Sequence, residues 1–324
     1  MPDFDVTVVG ELNLDLILYG LPDELQPERE LLADGLTLTL GSSSAIFAHN
    51  LSMLGTRVGF VSRIGDDPLG QVALDRLAAG GVDVSRVHRV SGQLSTGLTV
   101  ILPQVNSRKI LTYPGTMNEM CFEDLDLDYL TSGRHFHMSS FFLHRGLRHR
   151  MVELFKKLKA SGMSISLDTN DDPSGHWDDN LNTVLCFVDV FLPNAREAMK
   201  IARTDDLTTA VDRLAQWVPV VVVKLGAEGA LVRCGKEEFR SPAVDVEVID
   251  PVGAGDSFDA GFIHQYVRHR THATSLAFGN LMGAFSTTAP GGTEAFLDQN
   301  CLLDFLARHW TWRVEENRET TGSY

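Results

Sequence analysis

Cysteine is scarce in this sequence: of 324 residues four are cysteines, Cys121, Cys186, Cys234 and Cys301, and no two of them form a CxxC pair. That spacing excludes a disulfide framework, and the four are expected as reduced, mostly buried side chains. Long apolar runs are missing as well. The longest, residues 218–223 (VPVVVV), falls far short of a bilayer-crossing helix, and no basic segment followed by an apolar stretch opens the chain. A cytoplasmic location is the default expectation. Positive charge is in deficit, with 28 Lys and Arg against 43 Asp and Glu and a formal net charge of −15. Such a surface repels nucleic-acid backbones and anionic membranes, so neither is expected as a partner. A small anion such as a nucleotide can still be held locally by amides and a few basic groups. Internal repeats and low-complexity linkers are also lacking.

What is present is an ordinary globular composition, 44% hydrophobic and 22% charged. The length suffices for one α/β domain with a large core, and equally for two smaller domains. Apolar β-branched runs at residues 6–9, 59–61, 164–167, 188–192 and 220–223 read as strands, several of them continuously apolar like strands covered on both faces. Amphipathic stretches at 70–79, 148–160, 195–202 and 207–216 lie between them. This alternation predicts a doubly wound α/β fold, a mainly parallel sheet flanked by helices. Residues 31–40 (LLADGLTLTL) and 97–112 (GLTVILPQVNSRKILT) carry strand alternation without an intervening helix, the second turning back through 104–107. Such strands form either edge strands of the main sheet or a small antiparallel β lid outside it. We expect one domain over 1–312, with lid strands from about 12–40 and 95–115, and a frayed polar tail over 313–324.

The strongest local signal spans residues 244–262. Val244, Val246 and Val248 alternate with Asp245 and Glu247 as on a half-exposed strand, and Phe258, Phe262, Ile263, Tyr266 and Val267 then recur at helical spacing. Between them stands Gly253-Ala254-Gly255-Asp256. Small residues entering a helix leave its first amides bare, and those amides with the helix dipole favour a phosphoryl anion. An aspartate in that turn can take the proton of an attacking hydroxyl during phosphoryl transfer. Its bland alternative is an N-terminal helix cap.

The run Asp250-Pro251-Val252-Gly253-Ala254-Gly255-Asp256-Ser257-Phe258 resembles D-T-x-G-A-G-D-x-F, the C-terminal signature of PfkB (ribokinase-like) carbohydrate and nucleoside kinases, and departs only at Pro251. The resemblance implies a ribokinase-like fold and a homodimer formed through the lid. It implies Asp256 as catalytic base, the amides of Gly253, Ala254 and Gly255 as an anion hole, and ATP with Mg2+ as phosphoryl donor. It continues in order along nearly the whole chain. Gly10-Glu11-Leu12-Asn13-Leu14-Asp15 matches G-x-x-x-x-D, which implies Asn13 and Asp15 at the acceptor's hydroxyls. Gly41-Ser42 and Gly65-Asp66-Asp67-Pro68-Leu69-Gly70 match the N-terminal signature, although Ser42 replaces its second glycine and Ile46 a common asparagine. Both departures weaken the transfer of a particular sugar. Asn194 and Glu197 match N-x-x-E, implying water-mediated work on Mg2+, while the same spacing suits a capping box. Lys224, Gly226 and Gly229 resemble the nucleotide-site turn, and Asn280 the adenine-side helix. The resemblance also implies that Asp168 and Asn170, at the C-terminal end of a predicted strand, stand near the acceptor and phosphate. In some relatives a potassium ion lies beside the anion hole, which would place Asp250 and carbonyls near Val252, Ser286, Ala289 and Gly291 around it.

His135, His137, His144 and His149 invite a metal reading, but no acidic or cysteine ligand set accompanies them at zinc spacing, so they read as core or pocket histidines. The expected activity is transfer of the ATP γ-phosphoryl group to a primary hydroxyl of a sugar, a sugar derivative or a nucleoside. A dinucleotide-dependent oxidoreductase lacks its G-x-G-x-x-G turn after the first strand. A non-catalytic binding protein on the same scaffold is the remaining alternative.

Overall fold

The valine-rich run near the N-terminus forms β1 (Phe4–Val9), an interior strand of a nine-stranded sheet. The computed structural model describes residues 2–92, 94–104, 108–178 and 180–310. After β1 come β2 (Leu14–Tyr19), β3 (Gly35–Leu40), α1 (Ser43–Met53), β4 (Val58–Gly65), α2 (Pro68–Ala79), β5 (Asp83–Val90), β6 (Leu98–Pro103) and β7 (Arg108–Tyr113). The middle of the chain holds α3 (Leu127–Thr131), β8 (Gly133–Met138), α4 (Met151–Ala160), β9 (Ser164–Leu167), α5 (Leu181–Leu185), β10 (Val190–Phe191), α6 (Ala195–Ala202), α7 (Leu207–Leu214) and β11 (Val220–Lys224). It ends with β12 (Ala230–Cys234), β13 (Glu237–Ser241), α8 (Ala254–Tyr266), α9 (His272–Ser286) and α10 (Gln299–His309). The tail at 313–324, and most of the turn expected at 104–107, lie outside the described residues.

Spatial order in the large sheet is β13-β12-β11-β10-β9-β8-β1-β4-β5. Strands β5 to β11 across that order run parallel, and β12 and β13 add an antiparallel edge. Both faces are covered, which explains the uninterrupted apolar strands. On one face Val6, Val8 and Val222 pack with Phe47, Leu51 and Phe262 from α1 and α8; on the other Val9, Ile165 and Val221 pack with Phe155, Ile201 and Leu214 from α4, α6 and α7. Each such fully buried side chain stabilises the fold by roughly 1.5–3 kcal/mol. Helix α2 starts with Asp67 accepting from the Gly70 amide and Pro68 at its first position.

The two stretches without a helix between them form the second, four-stranded sheet, β3-β2-β6-β7, outside the main one. Its β2–β3 and β6–β7 pairs are antiparallel, and β2 joins β6 in parallel. Asp15, Ile17, Thr99 and Ile101 share its inner face, where Ile17 and Ile101 pack on Val252 just before α8.

Two expectations fail. Residues 244–248 form no strand, because the sheet already ends at β13. The segment runs extended across helices instead: Val244 and Val246 pack with Phe278, Phe285 and Phe305, and the amides of Ile249 and Asp250 donate to the Thr287 carbonyl. Its alternation records one face laid on a helical layer. The cysteines are not mostly buried either: Cys186 and Cys301 are exposed and Cys121 and Cys234 half-buried, all free. Valine, leucine and phenylalanine fill the core, and the thiols fall at helix ends and at the end of β12. Among the described residues no helix is long and apolar enough to cross a membrane.

Candidate active site

The winding of the large sheet reverses between β1 and β8, with β4 and β5 following on one side and β9 to β11 on the other. Open α/β sheets bind ligands beyond the carboxyl ends of their strands at such a switch point. There the segments after β1, β8, β9 and β10, the end of β11, the start of α8 and the inner face of the small sheet enclose a cleft of about 640 Å³.

Asp256 lies at its floor. Gly253 is the N-cap of α8 in the left-handed region at φ 73, and a Cβ there would meet the Gly292 Cα at 2.5 Å, so only glycine fits. The N-cap position is held by Gly253, and Asp256 is the third helical residue. Its carboxyl is raised to about 6, chiefly by burial and then by Asp168, while Lys224 and a hydrogen bond from Ser43 oppose the rise.

Beneath it Lys224 Nζ donates to Asp168 Oδ2 at 2.7 Å and to Asp259 at 3.1 Å. Burial works against the charge of Lys224, but Asp168, Asp259 and Glu197 outweigh it and hold the lysine protonated. Asp259, one helical turn beyond Asp256, was not marked by the motif, although an i, i+3 spacing puts both on one face.

Asp15, on β2, is buried, and its carboxyl is raised to about 7 by burial, with a hydrogen bond from Thr99 opposing and the charges of Asp256 and Asp250 adding. Gly41 lies behind it, where a Cβ would come within 2.2 Å of Asp15 Oδ1. Ser42 keeps a positive φ of 68 despite its side chain, and its hydroxyl ties to Asn13 through the Asn13 amide at 3.0 Å and the Asn13 side-chain oxygen. Ile46 turns under the Gly253–Gly292 contact and is nearly buried, so it packs the turn from below. Asn170 accepts from the Ser140 amide at 2.8 Å and donates to Ser43 Oγ at 3.0 Å. Glu11, also overlooked, accepts from Ser140 and Ser44 hydroxyls at 2.7 and 2.8 Å.

Asn194 and Glu197 form a reciprocal capping box at α6, each side chain accepting from the other's amide. Burial, then repulsion by Asp168, raises the Glu197 carboxyl to about 7. The expected site residues that do not line the cleft are Gly41, Gly229, Asn280 and Asp250. Asn280 donates to the Ser241 and Pro242 carbonyls at 2.9 and 3.1 Å, and Gly229 packs its Cα against the same strand end. Asp250 accepts from the Val252 and Gly291 amides, both at 2.9 Å, and so joins the loops on either side of the Gly253 turn. His135 and His137 are fully buried and share hydrogen bonds with Ser164, Ser166 and Ser139, as core histidines do; no metal-ligating cluster is present among the described residues.

This architecture recurs in known proteins. The chain is 28% identical over 285 residues to a 2-dehydro-3-deoxygluconokinase of Bacillus subtilis, covering 84% of this chain and 88% of the relative. An Escherichia coli protein described as a ribokinase II and solved with ATP and Mg2+ superimposes with a TM-score of 0.82 at 23% identity, covering 94% of this chain and all of that one. The adenosine kinase of Sinorhizobium meliloti gives 0.80 at 22% identity, over 94% and 99%. The family described as pfkB family carbohydrate kinase matches residues 3–300, nearly the full length, and the chain belongs to it as a sugar or nucleoside kinase.

Proposed function

We propose that this protein transfers the γ-phosphoryl group of ATP to a primary hydroxyl of a sugar or sugar derivative, with Asp256 as general base. The observation that carries the reading is a buried carboxylate in the first turn of α8, on the floor of the cleft that Gly253, Ala254 and Gly255 also line and that holds Asp15. A carboxyl at about 6 is ionised at neutral pH yet more basic than an exposed aspartate, which suits proton removal from an alcohol. Asp15, Asn13 and the Gly41-Ser42 turn would hold the acceptor, with Asn170 beside its reacting end. The amides of Gly253, Ala254 and Gly255 would face the charge that develops on the phosphoryl group.

Lys224, Gly226, Gly229 and Asn280 would shape the nucleotide side. Mg2+ bound with ATP supplies charge neutralisation on the phosphates. Asn194 and Glu197 satisfy each other's polar atoms, which fits contact with the ion through water. A monovalent cation near Asp250 is supported by Ser286, whose hydroxyl is buried without a hydrogen-bond partner among the described residues. The small sheet would act as a lid that excludes water. Its outer face exposes Leu36, Leu111 and Tyr113, and a second copy of the chain would cover them. The cytoplasm is the compartment proposed. A nucleoside acceptor is the second reading, supported by the apolar walls Ile101, Ile110, Met117 and Leu143.

An ADP-release screen over sugars, keto-sugar acids, sugar phosphates and nucleosides tests the proposal. Acceptor-dependent ADP with a sugar or sugar derivative is expected. A nucleoside as the best acceptor favours the second reading, and no ADP with any acceptor leaves a non-catalytic binding protein.

A further inference from the structure

One cation in the cleft makes no ion pair or hydrogen bond among the described residues. On the nucleotide side Lys224 is engaged by Asp168 and Asp259, and Arg196 pairs with Asp171 at 2.7 Å. Arg108, the first residue of β7, lines the same cleft and makes no ion pair or hydrogen bond with another described residue.

Register fixes where it points. Arg108 pairs with Pro103, Ile110 with Ile101, and Thr112 with Thr99. Alternate strand residues share a face, so Arg108, Ile110 and Thr112 look to the side of Thr99 and Asp15. Thr99 and Thr112 hydroxyls lie 3.2 Å apart next to Asp15, whereas Arg108 stands roughly 13 Å further along the strand. Its strand position therefore lies toward the end of the acceptor space away from Asp15. Its charge opposes the rise of the Asp15 carboxyl from across the cleft, but no ion pair joins the two among the described residues.

We infer that the acceptor carries an anionic group, a carboxylate or a phosphate, at the end away from the hydroxyl it presents to Asp256, and that Arg108 binds it. This rests on the kinase reading above. The guanidinium fork matches both anions with paired hydrogen bonds. The rest of the cleft is acidic, with Glu11, Asp15, Asp168, Glu197 and Asp256 on its walls, so an anionic acceptor needs a dedicated cation. A neutral sugar would leave that cation idle.

The test measures kcat and KM by ADP release for wild type, Arg108→Ala and Arg108→Lys. The panel holds neutral sugars, nucleosides, sugar acids and sugar phosphates. We expect the best acceptor to be anionic, with sugar acids against sugar phosphates telling carboxylate from phosphate. Arg108→Ala should raise its KM by roughly 10- to 100-fold with kcat little changed, narrowing the anionic-over-neutral preference by the same factor. Arg108→Lys should recover part of the loss. A neutral sugar or nucleoside as the best acceptor, or an anionic acceptor indifferent to Arg108→Ala, overturns the inference and leaves the kinase reading standing. If no acceptor supports ADP release, the kinase reading falls instead. Calorimetric binding of the same panel then decides: Arg108-dependent binding of an anionic sugar supports the assignment, and its absence overturns it.

Discussion

Lys224→Met tests the electrostatics under the site. The substitution keeps the length and apolar stem of the side chain but removes the ammonium that sits 2.7 Å from Asp168 and 3.1 Å from Asp259. Both carboxylate side chains are 1% exposed, so water cannot take over the lysine's role. Breaking one partner out of a buried ion pair costs about 3–5 kcal/mol, and urea unfolding should show a loss of that size. The loss should also depend on pH. Burial already raises the Asp259 carboxyl against the opposing charge of Lys224, and without that charge it rises further, so the folded variant binds more protons than its unfolded chain. Its stability therefore falls as pH rises toward that raised folded-state value, by about 1.4 kcal/mol per pH unit for each carboxyl that stays protonated. Wild type and variant should accordingly converge in acid and separate toward neutrality. Adding Asp259→Asn should recover part of the deficit. A loss under about 1 kcal/mol, or a gap unchanged with pH, would show that Lys224 is not the neutralising group described here.

Three further outcomes are expected. The kcat/KM profile should rise with pH through about 6 and level off above about 7, because Asp256 and Asp15 act as carboxylates; a profile flat across that window contradicts both assignments. Gly41→Ala should force a methyl group against Asp15, raising the acceptor KM by roughly 10-fold or more while circular dichroism stays native; an unchanged KM separates Asp15 from acceptor binding. Sedimentation should give a dimer for wild type and a monomer for Leu36→Glu/Leu111→Glu, and a monomeric wild type would remove the proposed lid interface.

Much of the fold was legible because its strands are buried on both faces and its helices are amphipathic. The run at 164–167 coincides with β9 and the stretch at 195–202 with α6. Strands β12 and β13 escaped notice: β13 is a solvent-facing edge of mainly polar residues with little hydrophobic period, and β12, although Ala230, Leu231 and Val232 are buried, is a short run following β11 after a tight turn. Residues 244–248 misled for the opposite reason, since apolar alternation against a helical layer looks like a strand. In the site, the turn at Gly253 and the residues at strand ends were readable as motifs. Asp259, Glu11 and Arg108 were not. Their positions in the cleft come from helix phase, strand register and long-range packing, which appear only once the chain is folded.

The central claim is best tested by Asp256→Asn, a substitution of equal size that cannot accept a proton. With the natural acceptor and saturating ATP, turnover should fall by about 10²–10⁴-fold while calorimetry shows ATP binding retained. Turnover within a few-fold of wild type would contradict the assignment of Asp256 as the base.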